Sequence, residues 1–390
     1  MENFNSLPQL ADEEYVLTRE TARRFFEDEV SPHYAEWEKR GYIDKDIWRK
    51  AGSQGLLCSM ISEEYGGIDG NFLHAMVIVE EIARSECALP GIFTHSDIIV
   101  PYIARLGTAE QKKRWLPGCV SGDVISSIAI TEPGAGSDMK GVKLRAKRDG
   151  SDWVLSGQKT FITNGWLADL VIVVANTSPD AGSKSKSLFL LDAKTKGFER
   201  GRLLEKVGQK AQDTAELFFD EVRLPAEAML GEEGRGLQYL MQELPVERLL
   251  VGVWAQAIAE KVFERTVDYV FERKAFGQTI GNFQATKFTL SEVRTELEVG
   301  RSFLNDCVVR LLAGELTGET AAMAKYWLSD MQGRVIDRCL QLFGGYGYMW
   351  EYPVARAYAD ARAQRIYGGA NEIMKEIISR GIQQRNAGEL

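Results

Sequence analysis

A carboxylate followed directly by a guanidinium, Glu247-Arg248, stands two residues after Pro245 in the run Glu243-Leu244-Pro245-Val246-Glu247-Arg248-Leu249. Such a carboxylate can take a proton. Pro245 can start a helix, and a Glu in a first turn is favoured by the dipole alone, which lowers its pKa and weakens it as a base. Desolvation by an apolar ligand would oppose that. The run Thr131-Glu132-Pro133-Gly134-Ala135-Gly136-Ser137-Asp138 reads as a strand end entering a tight loop of small residues, open to a flat ring or a phosphate or simply a turn. Its third glycine comes only at Gly141, so it is no dinucleotide fingerprint. In Gly157-Gln158-Lys159-Thr160-Phe161-Ile162-Thr163-Asn164-Gly165 a short strand sets an aromatic and a hydroxyl on one face.

Three further runs carry candidates. In Glu272-Arg273-Lys274-Ala275-Phe276-Gly277-Gln278, followed by Phe283-Gln284, an arginine at a helix end could answer the macrodipole or hold a pyrophosphate. Gln341-Leu342-Phe343-Gly344-Gly345-Tyr346-Gly347-Tyr348 has more glycine than one helix cap requires. Arg365-Ile366-Tyr367-Gly368-Gly369-Ala370-Asn371-Glu372-Ile373 reads as a loop re-entering a helix, whose free N–H groups suit a polarised carbonyl.

These runs need elements to hold them. Residues 1–120 read as helices: Leu17, Ala22, Phe25, Phe26 and Val30 recur at helical spacing, and Thr108 with Gln111 makes a capping box. Between 124 and 224 the chain breaks into seven or so short β-rich runs, with Ser178–Lys186 as an exposed, mobile hairpin loop. Long amphipathic helices follow near 237–271, 283–313, 318–343 and 369–382. The order is α, β, α without βαβ alternation, which argues against a Rossmann fold.

Composition narrows the function. The 390 residues carry a net charge of −9, which speaks against nucleic acid and anionic membrane surfaces as partners. Five scattered cysteines, three histidines and no CxxC pair leave no metal site in view and suggest a reducing compartment. The acidic N-terminus lacks an apolar core and no apolar run is long enough to span a bilayer, so a soluble cytoplasmic protein is expected.

Taken together, ITEPGAGSD, GQKTFITNG, ERKAFG and QLFGGYGY resemble the signature segments of the flavin-dependent acyl-CoA dehydrogenases, and the likeness runs from about residue 12 to residue 382. It implies an α+β multidomain fold: an N-terminal helical domain (1–122), a middle β-barrel-like domain (123–232) and a C-terminal four-helix bundle (233–390). Most of the family has a catalytic Glu after the Tyr of the last loop, where this chain has Gly368. A minority, including the long-chain and isovaleryl branches, has the base on the first long helix of the bundle, and Glu247 matches that place; MQELPVERLL, MWEYPVARAYADAR and IYGGANEIMKEII look most like the long-chain branch.

The resemblance implies FAD as cofactor and removal of an α-proton by Glu247 as a β-hydride passes to flavin N5, giving a trans-2-enoyl-CoA as in fatty-acid β-oxidation. The thioester oxygen would be held by the backbone N–H of Gly368 and a ribityl hydroxyl, with Tyr367 and Gly369 beside the substrate. Thr131 and Thr163 would bond the polar edge of the flavin and Phe161, often Trp in the family, would cover one ring face. Ser137 and Arg248 would meet the CoA arm, Ser137 also lying on the cofactor side. Arg273, Phe276, Gln284, Gln341, Leu342, Phe343, Gly344 and Gly345 resemble segments that reach FAD from a neighbouring subunit of a homotetramer, a dimer of dimers. Ala370 stands where Thr is usual, one flavin hydrogen bond fewer, and Glu372 falls on the flavin side. Pocket depth would depend on packing around Gly91–Ser96 and Tyr239–Leu244. The electron acceptor implied is an electron-transfer flavoprotein. The alternatives are an acyl-carrier-protein dehydrogenase or acyl-CoA oxidase on the same fold and, more remotely, a non-catalytic flavin- or thioester-binding protein.

Overall fold

The computed structural model describes residues 4, 7–178 and 182–387. Its N-terminal part holds α1 (Glu13–Phe25), α2 (Tyr34–Arg40), α3 (Lys45–Ser53), α4 (Phe72–Arg84), α5 (Pro90–Phe93), α6 (Val100–Leu106) and α7 (Ala109–Ser121). The capping box at Thr108 is formed: its hydroxyl accepts from Gln111 N–H, and the Gln111 side chain accepts from Thr108 N–H. Apolar residues recur through α4 so densely that the helix is buried on nearly every side.

The middle part is one mixed sheet of eight strands: β1 (Ser126–Ala129), β2 (Arg145–Asp149), β3 (Asp152–Thr163), β4 (Leu170–Asn176), β5 (Lys186–Asp192), β6 (Phe198–Leu203), β7 (Thr214–Leu224) and β8 (Met229–Leu230). The spatial order is β6-β7-β3-β2-β4-β5-β8, with β1 parallel to β4, so among the described residues the barrel-like domain is an open sheet whose end strands do not pair with each other. Leu170, Ile172 and Val174 of β4 join the helical core, whereas Val171, Val173 and Ala175 pack within the sheet's own core. That double burial explains why LVIVVAN reads as an unbroken apolar run rather than an alternation. The expected mobile loop at Ser178–Lys186 lies partly outside the described residues. At its far end Ser185 and Lys186 are buried and Lys186 opens β5, because its backbone pairs with Asn176.

The C-terminal part begins with α8 (Gly236–Glu272), then the hairpin β9 (Lys274–Ala275) and β10 (Gln278–Thr279). Next come α9 (Gln284–Leu312), α10 (Gly318–Phe343), α11 (Pro353–Ala361) and α12 (Asn371–Asn386). Phe276 (φ 51°) and Gly277 (φ 81°) form the hairpin tip, the two left-handed residues a tight two-residue turn demands. A buried ion network ties the helical parts together. Arg301 of α9 meets Glu80 of α4 and Glu260 of α8, each at 2.6 Å, and Arg19 of α1 reaches Glu80 at 2.8 Å and Glu81 at 2.9 Å. Thus α8, which carries Glu247, is clamped to the N-terminal helices by charge as well as by apolar packing.

Candidate active site

Pro245 does not start a helix. It lies inside α8, ten residues into a helix that runs from Gly236 to Glu272. The expectation that a helix N-terminus depresses Glu247 is therefore corrected, since Glu247 sits well beyond the first turn, where dipole effects fade. Burial dominates instead and pushes its pKa up to about 7, with Glu243 adding to the rise while a Tyr102 hydrogen bond and Arg248 oppose it. A carboxyl of this kind is poised for proton transfer near neutral pH. The Tyr102 hydroxyl, from α6, donates to Glu247 Oε1 at 2.9 Å. One turn back on the same helix face Glu243 pairs with Arg105 of α6, a second carboxylate that the sequence did not single out as a neighbour of the base. Arg248 is buried, and its Nε has no hydrogen-bond partner among the described residues.

The last loop lies over the next turn of α8. Gly368 (φ 64°) and Gly369 (φ 94°) are both left-handed, a conformation glycine adopts without strain. A Cβ at Gly368 would stand 3.6 Å from Cγ2 of Val251, four residues on from Glu247, and 4.0 Å from Cε of Lys325. The loop is fixed from beneath: Lys325 of α10, fully buried, donates to Gly369 O at 2.6 Å and to Asn371 Oδ1 at 2.9 Å. Burial, with Arg248 near it, lowers the Lys325 pKa to about 8. Ala370 caps α12 without a side-chain hydrogen bond, and Glu372 is exposed in its first turn.

In the middle domain the two small-residue runs meet. Thr160 N–H donates to Thr131 O at 2.9 Å, and buried Lys159 donates to Ile130 O and Glu132 Oε1, both at 2.9 Å. Glu132 also accepts from the N–H groups of Lys143 and Leu144. This knot sets Thr131 beside the end of β3. There a register shift between Lys159 and Ile162, with φ 60° at Phe161, turns that ring outward to 68% exposure while Ile162 stays in the core. Thr163 follows, and Asn164 Nδ2 bonds Gly91 O at 2.9 Å, anchoring α5. The segment from α5 to α6 is therefore held near Gly91 by Asn164, just past the end of β3, and touches Glu247 through Tyr102. Within Gly91–Ser96, Phe93 packs against Trp254 of α8 at a 5.3 Å centroid distance while His95 turns to Ser126 of β1, whereas Tyr239 packs toward the end of the sheet, its hydroxyl accepting from Glu232 N–H at 3.1 Å. Ser137 is exposed on its loop and no contact joins it to buried Arg248 among the described residues.

Six of the eight remaining motif residues line a separate cleft. Arg273, Gln341, Leu342, Phe343, Gly344 and Gly345 line an opening of about 450 Å³, with the Arg273 guanidinium 5.6 Å from the ring centre of Tyr346. Phe276 projects from the hairpin at 95% exposure, and Gln284 is exposed at the start of α9. Every residue lining this cleft belongs to the C-terminal helices or their connections.

Family models cover almost all of this architecture. The acyl-CoA dehydrogenase N-terminal domain matches residues 12–123, the middle domain 127–222 and the C-terminal domain 234–383.

The chain belongs to the acyl-CoA dehydrogenase family.

The long-chain specific acyl-CoA dehydrogenase, mitochondrial, of Sus scrofa is 54% identical over 371 residues, 95% of this chain and 86% of that protein. The crystal structure of an acyl-CoA dehydrogenase from Geobacillus kaustophilus matches with a TM-score of 0.94 and 46% identity, over 97% of this chain and 100% of that one. A glutaryl-CoA dehydrogenase from Mycobacterium smegmatis in complex with FADH2 matches with a TM-score of 0.90 and 28% identity, over 96% of this chain and 95% of that one. The enzyme class and its cofactor come with the family: an oxidoreductase using FAD. Among the described residues no group of His, Cys, Asp and Glu could hold a metal ion, and no helix is long and apolar enough to cross a membrane.

Sequence reasoning missed Tyr102 and Lys325. Tyr102 lies in the apolar run Val100–Leu106, where nothing distinguishes it from a core aromatic. Lys325 had a readable signal: a lysine on the apolar stripe Ala321, Ala324, Leu328 of α10 must find acceptors when buried.

Proposed function

We propose that this acyl-CoA dehydrogenase oxidises long-chain acyl-CoA thioesters, with Glu247 as the base and the Gly368 N–H as donor to the thioester oxygen. The observation that carries this reading is the position of Gly368 over Val251, one helical turn from a Glu247 whose pKa is raised to about 7. A base and a backbone donor then serve one small volume. The preference for long chains is supported by the long-chain relative at 54% identity.

The residues present suit a flavin. Phe161 offers an exposed ring face beside Thr131 and Thr163, and a Cβ at Gly134, Gly136, Gly344 or Gly345 would meet nothing within 4 Å, which leaves backbone open to a close ligand. When bound, FAD supplies the acceptor for the β-hydride. The chain does the rest. Glu247 takes the α-proton on a half-buried carboxyl, Gly368 N–H steadies the negative oxygen, and Lys325 keeps that N–H aimed by gripping Gly369 O. Tyr367 and Gly369 flank the thioester, Ser137 and Arg248 serve the CoA arm, and Ala370 and Glu372 border the flavin. A series of saturated acyl-CoAs of graded length, added anaerobically, tests the proposal by bleaching of the yellow protein. Long chains are expected to bleach it fastest, and bleaching by none of them would refute dehydrogenation.

For the assembly we propose a homotetramer in which the Arg273 cleft completes the FAD site of a neighbouring copy, with an electron-transfer flavoprotein as acceptor. Support comes from the cleft itself: it is lined by a cation and glycines and includes no residue of the middle sheet. Arg273→Ala should weaken FAD retention about tenfold, the scale of one charge-assisted bond to phosphate. Sizing chromatography with flavin absorbance checks it, and a monomer holding stoichiometric FAD would contradict it. The limits 1–122, 123–232 and 233–390 are proposed as the domains. A soluble reducing compartment, the cytoplasm, is proposed as the location, supported by five buried free cysteines; the relative from Sus scrofa is mitochondrial by name, so fractionation is the test.

A further inference from the structure

We propose that Tyr102 is a positioning residue for the base, its phenol pinning one oxygen of Glu247 so that the other receives the substrate proton. The inference rests on the reading of Glu247 as base and adds a role for a residue of the N-terminal helices.

Tyr102 is fully buried on α6, and its hydroxyl donates to Oε1 of Glu247 at 2.9 Å. Oε2 receives no hydrogen bond from the described residues. A carboxylate held at one oxygen cannot spin its two oxygens past the substrate, so the basic lone pair keeps one direction. The donor also favours the charged form of Glu247 against the burial that disfavours it. Tyr102 itself does not compete as an acid, because burial and the neighbouring Glu247 push its phenol far above the ordinary tyrosine range.

The charges around Glu247 are accounted for. From α6 come Tyr102 and Arg105; from α8 come Glu243, paired with Arg105, and Arg248; from α10 comes Lys325, which faces Arg248 and is held by Gly369 O and Asn371. Only Tyr102 bonds the Glu247 carboxylate directly among the described residues. α6 is in turn anchored through α5, where Asn164 holds Gly91. The phenol thus couples the flavin-side strand to the base through one short segment.

The test compares the FAD-loaded wild type, Tyr102→Phe and Glu247→Gln. Flavin bleaching by a long-chain acyl-CoA is followed from pH 6 to pH 9. So is the charge-transfer absorbance of a 3-thiaacyl-CoA, which needs α-deprotonation but no hydride transfer. Tyr102→Phe should keep its FAD and shift both profiles alkaline by about one pH unit, about tenfold slower near neutral pH, with part of the loss persisting at the alkaline end, where the carboxylate is charged but no longer held. An unshifted profile, or full recovery of the wild-type rate at the alkaline end, overturns the proposal. If Tyr102→Phe does not fold, 3-fluorotyrosine at position 102 decides. The stronger donor should move both profiles toward acid, and an unmoved profile overturns the proposal. Glu247→Gln separates the two readings: if it is inactive throughout while Tyr102→Phe matches wild type, only the Tyr102 role fails. If Glu247→Gln still deprotonates the 3-thia ligand, the base assignment fails with it.

Discussion

Glu247→Gln is expected to hold FAD and acyl-CoA and to lose flavin reduction by more than about 10³-fold. The amide is nearly the same size as the carboxylate, and its carbonyl oxygen can still accept from Tyr102, so packing between α6 and α8 survives. What disappears is the proton acceptor. A positioned general base accounts for about 10²–10⁴-fold in rate, and here substitution by a neighbour is blocked. Glu243 is one turn away on the same helix but is committed to Arg105. In wild type the same reasoning gives a pH limb. With the base at about pKa 7, bleaching should slow as pH falls through that value, because the protonated carboxyl cannot accept the α-proton. Stopped-flow bleaching reads both effects, and a Gln variant keeping more than about a tenth of the wild-type rate would remove Glu247 from the mechanism.

Much of this site could be read in the letters, and the reason lies in which residues carry it. Thr131, Phe161 and Thr163 sit in short runs whose glycines and backbone contacts are local, so sequence spacing captured their geometry; Thr160 N–H on Thr131 O then joined two runs already singled out. The α–β–α order was legible for the same reason, since helical and strand periodicities are properties of ten or twenty consecutive residues. The electrostatic state of Glu247 was not legible. Pro245 looks like a helix start because its ring fits a first turn, yet tertiary packing carried α8 straight through it. Burial rather than the helix dipole governs Glu247, and its Tyr102 partner on α6 lies 145 positions earlier in the chain. Tyr102 and Lys325 were hidden likewise: each acts through a partner distant in sequence, Glu247 in one case and Gly369 in the other. The buried bridge from Arg301 to Glu80 has no sequence signature, since its two ends are 221 residues apart.

Moving the base to the last loop gives the second large effect. Glu247→Thr should be as inactive as the Gln variant, and adding Gly368→Glu should recover about 10²-fold of the lost flavin reduction. The space exists: a Cβ at Gly368 meets Cγ2 of Val251 at 3.6 Å and Cε of Lys325 at 4.0 Å, ordinary contact distances. The backbone resists. At φ 64° a glutamate is strained by about 1–3 kcal/mol, enough to cost stability or to reshape the loop. The chemistry resists as well, because Lys325 lies beside the new carboxylate. An ammonium at that range stabilises the charged form and lowers its basicity, where Glu247 is made basic by burial. Rescue should therefore be partial and its pH limb should sit on the acid side of the wild-type limb. The acyl-chain preference should change too, since the side chain now enters from the loop rather than from α8. Both carboxylates would still serve the same α-carbon, one turn of α8 apart. If the double variant folds, binds FAD and acyl-CoA and shows no bleaching at any pH, the loop and the helix do not address a common reacting atom, and the two-position account of the site fails.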